Sequence, residues 1–359
     1  MLSRELDDPP VAPPARTKNK RPQAPRRPAA RATPTLESVA RRARVSTATV
    51  SRYFNSPDVV SARTAAAIRD VVARTGYTPN LMAGGLASSR SRLIAIAIPR
   101  ISQPLYASTI QAVADALVHA GFGVLLGLTG GANEYVEAQL RSIVGRRPDG
   151  IILAGTPLPQ AMRSWLRGTG ISTIEIWDLP TAPVDLVVGF SHAKAGSEMA
   201  RYALGRGRRR AFIISADGPH ARQRCDACLR TFIAAGAPEP VVATFHQAVS
   251  YHQARDAMAA HLDGGGAPDV VICSSDWSAH GATDELLHRR RRVPEEVAVV
   301  GFGDLEFAAE LRPALTTVRI DGDAIGRQIV QFLQARAQRK RIIQTTVDVG
   351  FALVSRETG

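Results

Sequence analysis

Residues 35–76 read TLESVARRARVSTATVSRYFNSPDVVSARTAAAIRDVVARTG. Thr35 is placed to cap LESVARRA, in which Leu36, Val39, Ala40 and Ala43 recur at helical spacing. Arg44-Val45 makes a turn, and Ser46 caps a second helix, TATVSRYF. Asn55-Ser56-Pro57-Asp58 is a loop, and Ser61 caps a third helix that stops at Gly76. Two short helices joined by a three- to four-residue turn, with a third packed across them, form a helix-turn-helix. Its second helix, Thr47 to Phe54, is the one suited to a DNA major groove. Val39, Val50, Phe54, Val60 and Ile68 are its expected core. Thr47, Ala48 and Thr49 open the second helix, where side chains reach base edges. Arg52, one turn on, can pair bidentately with a guanine. Ser46, Thr49, Ser51, Asn55, Ser61 and Thr64 are short polar groups suited to phosphate oxygens. For Ser46 and Ser61 taken alone, capping is the stronger explanation.

The charge distribution agrees with this reading. The 359 residues carry a net +13, which favours a polyanionic partner. Residues 1–34 hold eight Arg/Lys against Glu5, Asp7 and Asp8, a net +5. Residues 35–90 hold eight Arg against Glu37, Asp58 and Asp70, again +5. A general richness in arginine does not explain this concentration at one end. Residues 1–34, rich in Pro, Arg and Ala, cannot bury enough apolar surface to offset ordering and are expected to be a disordered basic tail.

Beyond Pro79 the pattern changes. LIAIAIP (93–99) is a continuous apolar run typical of a buried parallel strand. Strands are expected at 93–98, 123–128, 149–154, 172–177, 185–189, 211–214, 241–244, 269–273 and 297–302. Helices alternate with them at 105–120, 133–146, 159–169, 193–206, 221–236, 250–263, 278–290 and 321–338. Such alternation implies doubly wound parallel sheets. Roughly 270 residues exceed one sheet of this kind, so two similar lobes are expected, with a cleft beyond the carboxyl ends of their strands. Polar residues at those ends are the candidate ligand contacts: Gln103 and Tyr106, Trp177 and Asp178, Ser275 and Asp276, and Asp304. Asp276 and Asp304 are equally explained as helix caps.

The markers TLESVA, VSTATVSR, VSARTAAAI, GYTPN and LAS follow one another over more than fifty residues. In them the chain closely resembles the lactose-repressor family of bacterial regulators. The likeness continues through RLIAIAIP, HAGFGVLLG, RPDGIIL, VVGF, AVVGFGD and RPALTTV, and EIWD and VDLVVGF are similar to the gluconate-operon repressors within that family. The resemblance implies an all-α head over residues 35–79, a hinge over 80–91 and a two-lobed, periplasmic-binding-protein-like α/β sensor over 92–359. It implies a repressor binding double-stranded operator DNA as a homodimer under control of a sugar or sugar acid such as gluconate. It adds Thr35, Leu36 and Tyr77 to the DNA-facing set, and Asn80, Ala83 and Leu86 in the hinge, where a leucine from each subunit would wedge into the minor groove. It places Arg224 as the effector-binding arginine. The sequence departs from the family at Gly84-Gly85 within the hinge, and at Arg44, where glycine is usual. It departs again at Gln103 and Ser275, where asparagine is common, and at Gly303, where aspartate is common.

Other classes find little support. No apolar run reaches 18 residues and no signal-peptide pattern opens the chain, so a cytoplasmic protein without a membrane span is expected. No P-loop, nucleophile elbow or metal-ligand spacing suggests an enzyme or a cofactor. Cys225-x-x-Cys228 lacks a second ligand pair and falls in a helical pattern. His220, His246, His252 and His261 are scattered and read as surface residues. A periplasmic sugar-binding protein and a sugar-modifying α/β enzyme would share the lobes, but not the head.

Overall fold

A computed structural model of the chain describes residues 33–79, 91–101, 104–130, 133–155 and 158–359. They belong to two compact units, the first ending at Ala83 and the second beginning at Gly84.

The first unit is three helices: α1 (Leu36–Ala43), α2 (Thr47–Asn55) and α3 (Ala62–Thr75). Each starts where its cap predicts. Thr35 and Ser38 form a reciprocal capping box, Ser46 Oγ accepts from the Thr49 N–H, and Ser61 Oγ accepts from the Thr64 N–H. Helix α3 ends at Gly76 with φ +67. Val39, Val50 and Ile68 are fully buried, with Ala40, Val71 and Tyr77 around them. Val60 does not join this cluster. Tyr77, expected among the DNA-facing residues, is 8% exposed and packs 6.0 Å from Phe54 as part of this core. Leu36 likewise leans on the core.

The turn between α1 and α2 closes with Arg44 N–H to the Arg41 carbonyl and Val45 N–H to the Ala40 carbonyl. This double closure demands a left-handed residue, and Arg44 supplies it with φ 56. A side chain there costs about 1–3 kcal/mol, against the roughly 0.5–1 kcal/mol by which glycine's extra freedom favours the unfolded chain. Arg44→Gly is therefore expected to stabilise the head by about 1 kcal/mol. Thermal unfolding of the two proteins checks this, and an unchanged or lower melting temperature would show that the turn carries no strain.

The second unit begins with β1 (Leu93–Ile98), α4 (Pro104–His119), β2 (Gly123–Leu128), α5 (Asn133–Val144), β3 (Gly150–Ala154), α6 (Gln160–Thr169), β4 (Ser172–Ile176) and β5 (Leu186–Gly189). The chain then crosses to α7 (His192–Gly205), β6 (Ala211–Ala216), α8 (Pro219–Ala234), β7 (Val241–Phe245), α9 (Tyr251–Asp263), β8 (Val270–Cys273), α10 (Asp276–His288) and β9 (Ala298–Val300). It returns through β10 (Thr317–Arg319) to α11 (Gly322–Ala337), β11 (Thr346–Asp348) and β12 (Ala352–Val354). One lobe is a six-stranded parallel sheet, ordered β11-β5-β4-β3-β1-β2, and the other a four-stranded parallel sheet, β7-β6-β8-β9. The apolar runs are the central strands, as in LIAIAI, where Ile94 to Ala97 are wholly buried.

The apolar run VDVGFALV (347–354) is shared between two strands. Gly350, at φ +67, turns the chain between β11 in the six-stranded sheet and β12, which pairs antiparallel with β10. The lobes are thus joined by three passages of chain, after β5, around β10 and between β11 and β12. This is the topology of a hinge.

Candidate functional site

Two places gather functional chemistry, one on each unit. On the head, α2 presents Thr47 and Ala48 to solvent at its amino end, with Arg52 exposed one turn later. No acidic residue lies in its first turn, so the positive end of the helix dipole is left open to an anion. The hydroxyls of Ser46 and Thr49 lie 2.9 Å apart, as do those of Ser61 and Thr64, and Asn55 donates to Ser51 Oγ. Thr35, Ser46 and Ser61 remain exposed while serving as caps. Asn80, Ala83 and Leu86, with Gly84-Gly85, lie outside the described residues.

On the second unit, a cavity of about 660 Å³ lies between the lobes at the carboxyl ends of their strands. Tyr106, Trp177, Asp178, Arg224 and Ser275, all expected there, line it. Gln103 lies outside the described residues. Asp276 and Asp304 are corrections, because neither lines the cavity. Asp276 is fully buried as the first residue of α10, accepting hydrogen bonds from Thr317 Oγ1 at 2.5 Å and from the Leu305 N–H. Burial pushes its carboxyl up to about 6. Asp304 pairs with Arg319 and with Arg356. Both carboxylates anchor the passages between lobes. Ser275 caps α10 and faces the cavity at once.

Arg224 is 5% exposed, on the second turn of α8. It reaches this place because Gly196 lets α7 come close: a Cβ there would stand 2.1 Å from the Arg224 carbonyl oxygen. Its guanidinium lies 3.9 Å from the Phe302 ring centroid and donates to the Ser274 carbonyl and to His192 Nδ1. Arginine has only donors, so His192 Nδ1 must be the acceptor. The imidazole proton then sits on Nε2 and is donated to the Trp177 carbonyl at 2.7 Å. Burial, and then the neighbouring Arg224 charge, keep His192 neutral far below its ordinary range. Burial also draws Arg224 down to about 10. Among the described residues no carboxylate pairs with it, so a buried cation faces the cavity without a counter-ion.

Of the two acids in the lining, Glu175 pairs with Arg163 and Asp178 is engaged by His220. His220 Nε2 lies 3.3 Å from Asp178 Oδ2, linking the end of β4 in one lobe to the start of α8 in the other. Burial opposes charge on Asp178, but hydrogen bonds from His220 and the Leu179 N–H outweigh it and hold the carboxyl below its usual value. Tyr106 Oη approaches His220 Nδ1 at 3.5 Å, and His192 stacks on His220 at 4.5 Å. His220 is therefore a cavity residue and not a surface one. Trp177 carries two costs, a left-handed backbone (φ 74) and a buried indole N–H with no partner among the described residues. Ligand atoms of Asp178, His192 and His220 lie within 4.8 Å of one another. The set does not suit a metal, since both His192 nitrogens are committed and the Arg224 charge stands beside them.

Sequence reasoning missed His192, His220 and the ion pair Arg163–Glu175, which also lines the cavity. His192 stands just beyond the carboxyl end of β5, so extending the strand-end rule to the fifth strand would have found it. No signal in the sequence marks the other three.

Residues 35–80 match the model of bacterial regulatory proteins of the lacI family, and residues 200–358 match a periplasmic binding protein-like domain. The HTH-type transcriptional regulator GntR of Pseudomonas aeruginosa is 31% identical, covering 90% of this chain and 95% of that protein. A LacI-family transcriptional regulator from Silicibacter pomeroyi superposes with TM-score 0.81 at 28% identity, over 90% of this chain and 98% of the other. The transcriptional regulator CelR, solved as a cellobiose complex, superposes with TM-score 0.64 at 26% identity, over 91% and 100%. No described helix is long and apolar enough to cross a membrane. With its helix-turn-helix head and its two-lobed sensor, the chain belongs to the LacI family of DNA-binding transcriptional regulators, which answer to a small effector and are not enzymes.

Proposed function

We propose that this protein is a repressor whose operator affinity is set by a small carboxylated, polyhydroxylated ligand, a sugar acid of the gluconate kind, bound between the lobes. The observation that carries the reading is the buried Arg224 guanidinium without a counter-ion. A carboxylate supplies the missing charge and accepts the donors left free. The Asp178–His220 pair, Tyr106 and Ser275 then face hydroxyls. The relative solved with cellobiose fits a polyol-binding cleft. Because Asp178 and His220 belong to different lobes, a ligand inserted there changes how the lobes close, and the three passages of chain carry that change. Calorimetry with gluconate, glucose and a purine base tests the ligand class. Binding of gluconate with little response to the other two is expected, whereas tight purine binding without gluconate binding would overturn it.

On the head, Thr47, Ala48, Thr49 and Arg52 are assigned to base edges, and Thr35, Ser46, Ser51, Asn55, Ser61 and Thr64 to phosphates. A palindromic site requires two heads, so the working form is a homodimer. Leu126 and Leu128 on the edge strand β2 and Val118 on α4 are exposed apolar side chains consistent with an interface on this face of the sensor. Light scattering at micromolar concentration should give twice 38.4 kDa. A monomer that binds operator tightly would contradict the dimer.

A further inference from the structure

All strands of the six-stranded sheet run parallel, so their amino ends share one rim of the lobe, opposite the cavity. The segments that lead into β1, β3 and β11 bring six exposed cations to this rim: Arg92, Arg146, Arg147, Arg339, Lys340 and Arg341. None is in an ion pair among the described residues. Arg146, for one, donates only to the backbone and side chain of Ser142. Neither of the acids nearby pairs with any of the six. Asp149 accepts from the N–H groups of Ser91 and Arg92, and Asp185 pairs with Arg336.

Arginine richness alone does not produce this pattern. The corresponding end of the other lobe is as rich in arginine, yet its cations are largely answered. Arg289 pairs with Asp263 and Glu285, Arg291 and Arg292 share Glu296, and Arg210 lies 3.9 Å from Asp269. Among the described residues, ion pairs offset part of the charge on this second rim and none of the six cations on the first.

The chain enters the sensor at the charged rim, through Ser91 and Arg92, immediately after the short tether from the head. Residues 80–90 span at most about 40 Å even if extended. Head and rim are therefore tied within one chain by at most this length. We propose that the rim is a second, sequence-independent DNA surface, in which Arg146, Arg147, Arg339, Lys340 and Arg341 attract the phosphates flanking the site held by the head. This inference rests on the DNA-binding reading of the head. It adds that part of the affinity belongs to the sensor.

The test uses the full chain and a mixed-sequence duplex of about 60 base pairs, with affinity measured across a series of KCl concentrations. One variant replaces Arg146, Arg147, Arg339, Lys340 and Arg341 with glutamine. A control replaces Arg206, Arg210, Arg290, Arg291 and Arg292 with glutamine, which removes the same net charge from the other lobe. Each lost phosphate contact flattens the slope of log K against log salt by about 0.9, so the rim variant should lose about 2 to 4 from the slope. The control should match wild type, and both variants should keep the wild-type melting temperature. Equal slopes in all three proteins, or equal losses in both variants, would overturn the proposal while leaving the head's role intact. A wild-type chain with no salt-dependent affinity for duplex DNA would overturn both.

Discussion

Replacing Arg224 with methionine is expected to weaken gluconate binding by at least about 100-fold while leaving operator binding in the absence of ligand within about threefold of wild type. The magnitude follows from the chemistry of the site: hydrogen bonds to a charged group contribute about 1.5–3 kcal/mol each, and a carboxylate on this guanidinium would accept two. The accompanying stability change separates a ligand role from a structural one. A buried charge without a partner is a cost to the unliganded fold, and an apolar side chain of similar length removes it. Arg224→Met should therefore keep or raise the melting temperature of the free protein, although it gives up the bonds to Ser274 and His192. A large fall in melting temperature together with intact gluconate binding would show that Arg224 holds the lobe together and nothing more. Arg224→Lys, which keeps the charge but not the forked geometry, should fall between the two proteins in affinity.

Ile68→Ala is expected to uncouple the two units. Ile68 is fully buried at the centre of a small three-helix head whose core contains only five other buried side chains. Truncating a buried isoleucine to alanine costs about 2–5 kcal/mol, and a domain of this size has little more stability than that to lose. Sequence-specific DNA binding should be lost at 37 °C. Gluconate affinity and the sensor's own unfolding transition should be unchanged. Operator affinity within twofold of wild type would mean that the three helices do not depend on this core.

The head and the order of strands and helices were legible because they rest on local signals. Thr35, Ser46 and Ser61 each cap a helix, and each of the nine expected strands is present. What escaped depends on contacts remote in sequence. Tyr77 sits in a motif that reads as DNA-facing, and only the packing of Phe54 against it shows that it belongs to the core. Asp276 and Asp304 stand at strand ends, as ligand contacts would, but Thr317, Arg319 and Arg356, returning from the far end of the chain, claim their oxygens. Conversely, nothing around His220 marks it as special until Asp178, forty-two residues earlier, is brought to 3.3 Å from its ring. Strand-end position identifies which residues can face the cleft, and the tertiary hydrogen bonds decide which of them do.

In the proposed function, one chain couples recognition of a DNA sequence to a carboxylated ligand in the sensor. Selection of bound duplexes from a random-sequence pool, followed by titration of the enriched duplex with and without saturating gluconate, tests it most directly. A palindromic enriched sequence is expected, with a shift in its dissociation constant of about 5- to 150-fold on adding gluconate, the usual range of coupling between two sites. An enriched sequence whose affinity is the same with and without gluconate, in a protein shown by calorimetry to bind gluconate, would contradict it.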